Sequence, residues 1–348
     1  TDTRRPVGWS SHGGEDLVEV SPGFTMSGRR MSVQYRLATH GDYDHEAIVR
    51  IVRATQPDDH TSASDLRDWD ERQHRAGRTA ARWVASISGM GVGSGFFSQT
   101  PWFDPSTFST HVMVDPDHQR RGYGRSLAEM VEDSASEHGA RCLLGQGDEG
   151  EPRTLRFIEN AGFREIDRWR RSTLDLDLFD PRVWAPTLER IAGTGIHIVS
   201  VAAIRETRSD WKQDLHRLYV DVETDAPSHL EILEVPFSDF EARSLGRQLL
   251  ADGFLIAMDG DDMIGLTEPQ PVDDDTTAIS QDLTGVRSDY RGRRIAMALK
   301  AASATWAKEH GYTSIRTFNA QSNAPMLAIN DRLGFKRDQA QIEYLKDL

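Results

Sequence analysis

Hydrophobic positions in this chain switch between periods of two and near 3.6, and the switches fall in the same order twice. MSVQYRLA, Met31–Ala38, alternates like a strand, and amphipathic helices are predicted from Asp42 to about Arg53 and from Ala63 to Arg75. Two strands joined at the glycines Gly89–Gly95 follow, then the strand FSTHVMV and a helix of about five turns that stops at Gly139. ARCLLGQ reads as a further strand and EPRTLRFIENAGF as a short helix with proline near its start. The second half predicts a strand at GIHIVSVA and helices from Asp210 to about Asp221 and from Phe237 to about Leu250. GFLIAMDGDDMIGLTE is then a hairpin with Asp-Gly at its turn. A strand at TAISQDLTGV, a long helix ending in EHG, a strand at TSIRTFNA and a short helix at NAPMLAINDRLGF complete it.

The recurrence extends to residues. Val114 recurs as Val286, Gly139 as Gly311, and Gly162–Phe163 as Gly334–Phe335, a constant offset of 172 positions. A repeat at this spacing means two copies of one fold. The division predicted is a polar lead-in over 1–30, a first domain over 31–177, a linker over 178–194 with two prolines and no strand pattern, and a second domain over 195–348. A chain of 348 residues is long enough for two ordinary cores.

A formal charge of −14 argues against a nucleic-acid partner, whose phosphates need a basic face, and leaves room for a cationic one. The single cysteine, Cys142, excludes a disulfide framework and reads as a small core residue. No apolar run approaches the roughly 18 residues of a membrane span, and the first thirty residues lack the apolar stretch of a signal peptide. The expectation is a cytoplasmic protein without a membrane partner. The histidines have no ligand spacing, so no metal is expected.

Chemistry is concentrated where a strand ends and a glycine- and arginine-rich turn opens each long helix. A helix start presents unpaired N–H groups and partial positive charge, which suits an anion. In the first turn Gly122 and Gly124 remove side chains where a pyrophosphate would approach, and Arg120, Arg121 and Arg125 supply charge. Gln119 and Tyr123 complete the segment. Strand, Val-x-Pro-x-x-Gln/Arg-x-x-Gly-x-Gly/Ala, long helix and distal Gly-Phe together resemble the GNAT N-acetyltransferases. Val114 with Gln119 through Gly124 carries that resemblance once, and Val286 with Arg291, Gly292, Arg293, Arg294, Ile295 and Ala296 carries it again. One departure is that Arg294 stands where the motif has glycine; its backbone is expected to stay helical, with the guanidinium turned outward or gripping a phosphate.

The resemblance implies an α/β fold with a mixed sheet, in two tandem GNAT copies, and acetyl-CoA as acyl donor. It places the pantetheine along Val112, Met113 and Val114, or along Thr284, Gly285 and Val286, as an added strand. It also implies a small-molecule amine as acceptor, attacking the thioester directly. The alternatives are a first domain that binds CoA without turnover, a hydroxyl acceptor, or a longer acyl group. Acids after the first helix of each half (Asp58, Asp59 and His60; Asp221, Glu223, Asp225 and His229) either line an acceptor site or are solvated. Many GNAT enzymes carry an asparagine and, seven residues on, a tyrosine. Those positions are Asn323 and Asn330 in the second half but Glu151 and Ile158 in the first. Asn330 cannot donate a proton at neutral pH; it either bonds the sulfur or a water, or ties down a neighbouring loop. Asp282 is expected on the same strand face as Thr284 and Val286, where it is either a general base or a structural carboxylate. The matching residue of the first half is Thr110.

Overall fold

A computed structural model describes residues 32–39, 41–57, 59, 61–246, 249–272 and 275–348. The predicted lead-in over 1–30, Asp58, His60 and the acidic residues Asp273 and Asp274 lie outside them. The chain forms two compact units, one within Thr1–Ser98 and Thr110–His138, the other Gln99–Ser109 with Gly139–Leu348.

The first unit contains β1 (Val33–Leu37), α1 (Asp42–Thr55), α2 (Ala63–Arg75), β2 (Ala80–Ile87), most of β3 (Met90–Gln99), the end of β4 (Thr107–Val114) and α3 (Tyr123–Glu137). Its strands neighbour one another in chain order. Helix α2 starts where Ser62 caps it: the Ser62 hydroxyl accepts from Asp65 N at 3.2 Å while the Asp65 carboxylate accepts from Ser62 N at 2.9 Å. The core packs Val33, Tyr35, Ala85, Ile87 and Val92 against Leu127 of α3. The glycine run expected as a turn contributes only Gly89 to it; Gly91, Gly93 and Gly95 are inside β3. A Cβ at Gly93 or Gly95 would lie 2.9 or 2.8 Å from Leu127 or Val131, so these glycines let α3 lie close on the strand.

The second unit holds β5 (Cys142–Asp148), α4 (Pro152–Asn160), β6 (Arg164–Asp175), α5 (Ala185–Ala192), β7 (Ile196–Ser200), α6 (Val201–Thr207), α7 (Trp211–Thr224) and α8 (Phe237–Ser244). It continues through β8 (Leu255–Asp259), β9 (Asp262–Pro271), β10 (Ala278–Val286), α9 (Ile295–Glu309), β11 (Ser314–Ala320), α10 (Ala324–Leu333) and β12 (Lys336–Asp347). The strand order is β5-β12-β6-β11-β10-β9-β8-β7. Thus β6, the last strand of the first repeat, lies between β12 and β11 of the second. In turn β12 pairs with β5 along Gln341↔Asp148 to Asp347↔Cys142. The repeats have exchanged their final strands, and the mixed sheet carries helices packed in three buried clusters.

Three local readings change. Helix α6 begins at Val201, within the expected strand, because Ser200 caps it by accepting from Ala203 N at 3.2 Å. Helix α8 stops at Ser244, two residues before Gly246, a poor helix former. Residues 178–194 hold a 3₁₀ turn and α5, whose Ile191 is buried. Cys142 is half-buried at the start of β5.

Lys300 of α9 is fully buried, its ammonium 5.1 Å from the Phe335 ring centroid. Burial lowers its pKa from the ordinary 10.5 to about 7. Below about 7 the folded state must keep a buried charge; between about 7 and 10.5 only the unfolded chain binds that proton, so stability rises with pH across that window. Lys300→Met is therefore expected to stabilise the protein at pH 7 by on the order of a few kcal/mol and to flatten that rise. Chemical denaturation at several pH values checks this, and a less stable Lys300→Met would contradict it.

Candidate active site

Both glycine- and arginine-rich turns have the same internal hydrogen bonds. Gln119 Nε2 donates to Val114 O at 3.0 Å, and Arg291 Nε donates to Val286 O at 3.4 Å. Arg121 donates to Asp117 O at 3.0 Å, and Arg293 to Asp289 O at 3.2 Å. Each turn needs two left-handed residues. They are Arg120 (φ 64) and Gly122 (φ 88) in the first copy, Gly292 (φ 77) and Arg294 (φ 67) in the second. Glycine and arginine have exchanged places. The expectation that the Arg294 backbone stays helical is thus incorrect: the residue caps α9 in the left-handed region, a strained conformation for a side chain with a Cβ. Tyr123, Gly124 and Arg125 open α3 as Ile295 and Ala296 open α9. Val112, Met113 and Val114 end β4, packed against the apolar residues of the first unit.

The second turn borders a cavity of about 850 Å³ within the second unit. Thr284, Gly285, Val286, Arg291, Gly292, Arg294, Ile295 and Ala296 line it. Arg293 does not; its guanidinium lies 4.6 Å from the Tyr290 ring centroid. The cavity enters the sheet where two strands part. Parallel pairing of β10 with β11 runs from Ala278↔Ser314 to Ser280↔Arg316 and ends there, while the other edge of β10 stays paired with β9 through Val286↔Gly265. Residues Asp282–Val286 thereby offer one backbone edge to the cavity. Trp169 of the exchanged β6 and Trp184 before α5 also line it, neither of them expected from the sequence.

Asp282 and Asn323 are on the cavity wall. Asn323 Oδ1 caps α10, accepting from Met326 N at 3.3 Å. Asn330 is buried and donates to Asn319 Oδ1 at 2.6 Å, and it is Asn319 that borders the cavity. Asp282 does not share a face with Thr284 and Val286. The β9–β10 register slips between Gln281 and Thr284, a bulge that breaks the alternation. Gln281 and Thr284 both reach Thr267, at 3.0 and 2.7 Å, whereas Asp282 turns to Arg243 of α8, at 3.8 Å.

Beside Asp282 is Glu268 of β9, fully buried in an apolar strand. Gln270 donates to its Oε1 at 2.6 Å, and the nearby Ser244 hydroxyl also favours its ionised form, though Oε2 has no partner within hydrogen-bond distance. Burial, then the Asp282 charge, push the Glu268 pKa up to about 7, against the opposing pull of Arg243. Tyr219 and Glu223 of α7 complete this wall, and burial raises the pKa of each. Asp221 and Glu223 are on the helix, not in the loop expected; Asp225 follows it and pairs with Arg291 at 2.5 Å. Glu268, Arg243 and Tyr219 were not identified from sequence, although a carboxylate in the run MIGLTE is a signal in itself.

At the matching positions of the first repeat stand Phe96 and Thr110. There the Arg82 guanidinium packs against the Trp69 and Phe96 rings, which meet edge to face, 4.8 and 4.7 Å from their centroids, and bonds Asp70 at 3.0 Å. The carboxylate pair is absent from those two positions.

A family profile described as Acetyltransferase (GNAT) family matches residues 46–163 and 210–335. The chain belongs to the GNAT family. Its two GNAT matches cover the two copies of the repeat. Over 95 residues it is 30% identical to a mycothiol acetyltransferase of Actinosynnema mirum, a match covering 27% of this chain and 31% of that protein, so it spans about a third of the relative's length. Among solved structures, a tandem GNAT protein from the clavulanic acid biosynthesis pathway is 19% identical, with a TM-score of 0.67 over 90% of this chain and 98% of that one. A GCN5-related N-acetyltransferase from Sphaerobacter thermophilus is 17% identical, with a TM-score of 0.65 over 90% and 95%. Both show that the tandem GNAT fold is shared along nearly the whole chain. Among the described residues, no helix is long and apolar enough to cross a membrane, and no group of three or more His, Cys, Asp or Glu is placed to hold a metal ion.

Proposed function

We propose that the protein transfers an acetyl group from acetyl-CoA to the amine of a small molecule, in the cavity of the second repeat. The observation that carries this reading is the meeting, in one cavity, of an anion-receiving helix start, an open strand edge and the Asp282 carboxylate, with buried Glu268 behind it. Acetyl-CoA would supply the activated acetyl group and leave as the thiol. The residues present fit it: Gly292 and the N–H groups opening α9 accept a pyrophosphate, Arg294 adds charge, and the β10 edge at Thr284–Val286 accepts an extended chain.

An ammonium acceptor must lose a proton before it attacks. Asp282 borders the cavity and takes that proton. Glu268 behind it is a carboxylate whose pKa burial and the Asp282 charge raise to about 7, the range in which a base works best. Asn323 fixes the start of α10 on the cavity wall, and Asn330 fixes Asn319. The first repeat has the glycine-bearing turn but Phe96 and Thr110 in place of the pair, which favours CoA binding without turnover there.

Charge reversal at Arg294 tests the donor site. Arg294→Glu keeps a side chain at the left-handed position, so the strain is unchanged and only charge differs. CoA affinity of the full chain is expected to fall at least about tenfold, or 1.4 kcal/mol, in calorimetry. Gly122→Glu applies the same measurement to the first turn. Thiol release across a panel of amines tests transfer itself: CoA binding without release for any amine would leave a CoA-binding scaffold as the reading.

A further inference from the structure

The acceptor wall has more negative charge than a single reacting amine can match. Glu223, Glu268 and Asp282 surround one guanidinium, that of Arg243. Its ion pairs are long, Nη1 to Glu223 Oε1 at 3.7 Å and Nη2 to Asp282 Oδ2 at 3.8 Å, both beyond hydrogen-bond reach. Asp225, next along the chain, is already taken by Arg291. Tyr219 Oη, Glu223 Oε2 and Gln281 Oε1, on residues lining the cavity, and Glu268 Oε2 behind Asp282 are buried with no partner within hydrogen-bond distance, although Tyr219 is near enough to Glu223, and Ser244 to Glu268, to favour the ionised carboxylate. Tyr219 is 1% exposed and Glu268 fully buried, so the cost of leaving these oxygens unmatched is not relieved by bulk water.

We propose that the acceptor is a short diamine, whose reacting nitrogen meets Asp282 and whose second nitrogen, an ammonium at neutral pH, is held by Glu223 and Tyr219. This rests on the acetyl transfer proposed above. The reacting nitrogen attacks as a neutral amine, and its proton neutralises one carboxylate of the Asp282–Glu268 pair. Above about pH 7, where Glu268 is ionised before the amine arrives, the wall then still has two carboxylates against Arg243. A second ammonium closes that balance; a monoamine does not. The two sites are within reach of a four-carbon chain, because the Glu223 and Asp282 oxygens flank the two Nη atoms of one planar guanidinium and so are less than about 10 Å apart. Glu223 is one helical turn from Tyr219, and its side chain is only 14% exposed, so a cation there is largely withdrawn from water and its pairing is felt. An amino acid would instead bring a carboxylate to Arg243 and increase the excess of negative charge.

Putrescine, n-butylamine and γ-aminobutyrate share one carbon skeleton and one reacting amine, and differ only in ending with an ammonium, a methyl or a carboxylate. Calorimetric binding of each to the full chain saturated with CoA is expected to favour putrescine over n-butylamine by at least about tenfold, with γ-aminobutyrate weakest. Glu223→Gln should reduce that preference to within about threefold while its CoA affinity is unchanged. Equal binding of putrescine and n-butylamine by the unaltered protein, or tightest binding of γ-aminobutyrate, overturns the diamine assignment whatever the variant does. Thiol release measured on the same three compounds separates the two readings. Preferential binding of putrescine without release upholds the diamine site and removes the transferase reading. Release with equal affinities does the reverse.

Discussion

Asp282→Asn is expected to lower kcat by at least about 10²-fold, with CoA affinity preserved. Asparagine keeps the shape of the side chain at the bulge and removes its capacity to take a proton. Glu268→Gln is expected to act differently, because Glu268 is the group that titrates at about 7. In the unaltered protein the rate should rise as the pH increases through about 7, where the buried carboxyl loses its proton. In Glu268→Gln the group that titrates there is gone, so the limb at about 7 should disappear. Stability should shift the other way. The folded-state pKa of Glu268 lies above the unfolded value of 4.5, so its ionisation costs the folded state as the pH rises from about 4.5 to 7, and the full cost is present above that. Glu268→Gln should therefore melt higher than the unaltered protein at pH 8, with the difference vanishing below pH 4.5. Wild-type rates from Asp282→Asn, or an acid limb retained by Glu268→Gln, would remove the pair from the chemistry.

Residues 195–348 expressed alone are expected not to fold, although the sequence repeat makes them look like a complete domain. Deleting the first 194 residues removes β6, which pairs with β11 along Ser314↔Asp175 to Ala320↔Trp169 and with β12 on its other edge. It also removes β5, the outer partner of β12. The isolated half would keep β12 and β11 without the strand that joins them, and would expose the cluster in which Leu174, Leu176 and Phe179 pack with Ile315 and Phe335. Loss of Leu174, Leu176 and Phe179, each worth roughly 1.5–3 kcal/mol, is comparable with the whole stability of an ordinary domain, before the lost strand pairing is counted. Circular dichroism and proton NMR of the fragment check this; a dispersed spectrum with a cooperative melt would contradict the exchanged-strand account. Co-expression with residues 1–194 is expected to restore folding, since it returns both strands.

Much of the architecture is determined by local pattern. The periods of two and 3.6, the caps and the glycine stops depend on neighbours a few residues apart, so they place β1–β5, α1–α4 and most of their counterparts from sequence alone. The fixed offset likewise predicts two like turns; their matching bonds, from Gln119 and Arg291 to the strand carbonyl, appear only in the structure. Only tertiary structure decides which strand lies beside which. Strands β6 and β12 are half-buried with charged residues along them, and nothing in their sequence distinguishes pairing within a repeat from exchange between repeats. The same limit hid the wall that Asp282, Glu268 and Arg243 form. Alternation puts Asp282 on the face of Thr284, but a one-residue bulge, invisible to periodicity, turns it toward Glu268 and Arg243. The basicity of Glu268 comes from burial and from a neighbour fourteen residues away in sequence, quantities that exist only once the strands have paired.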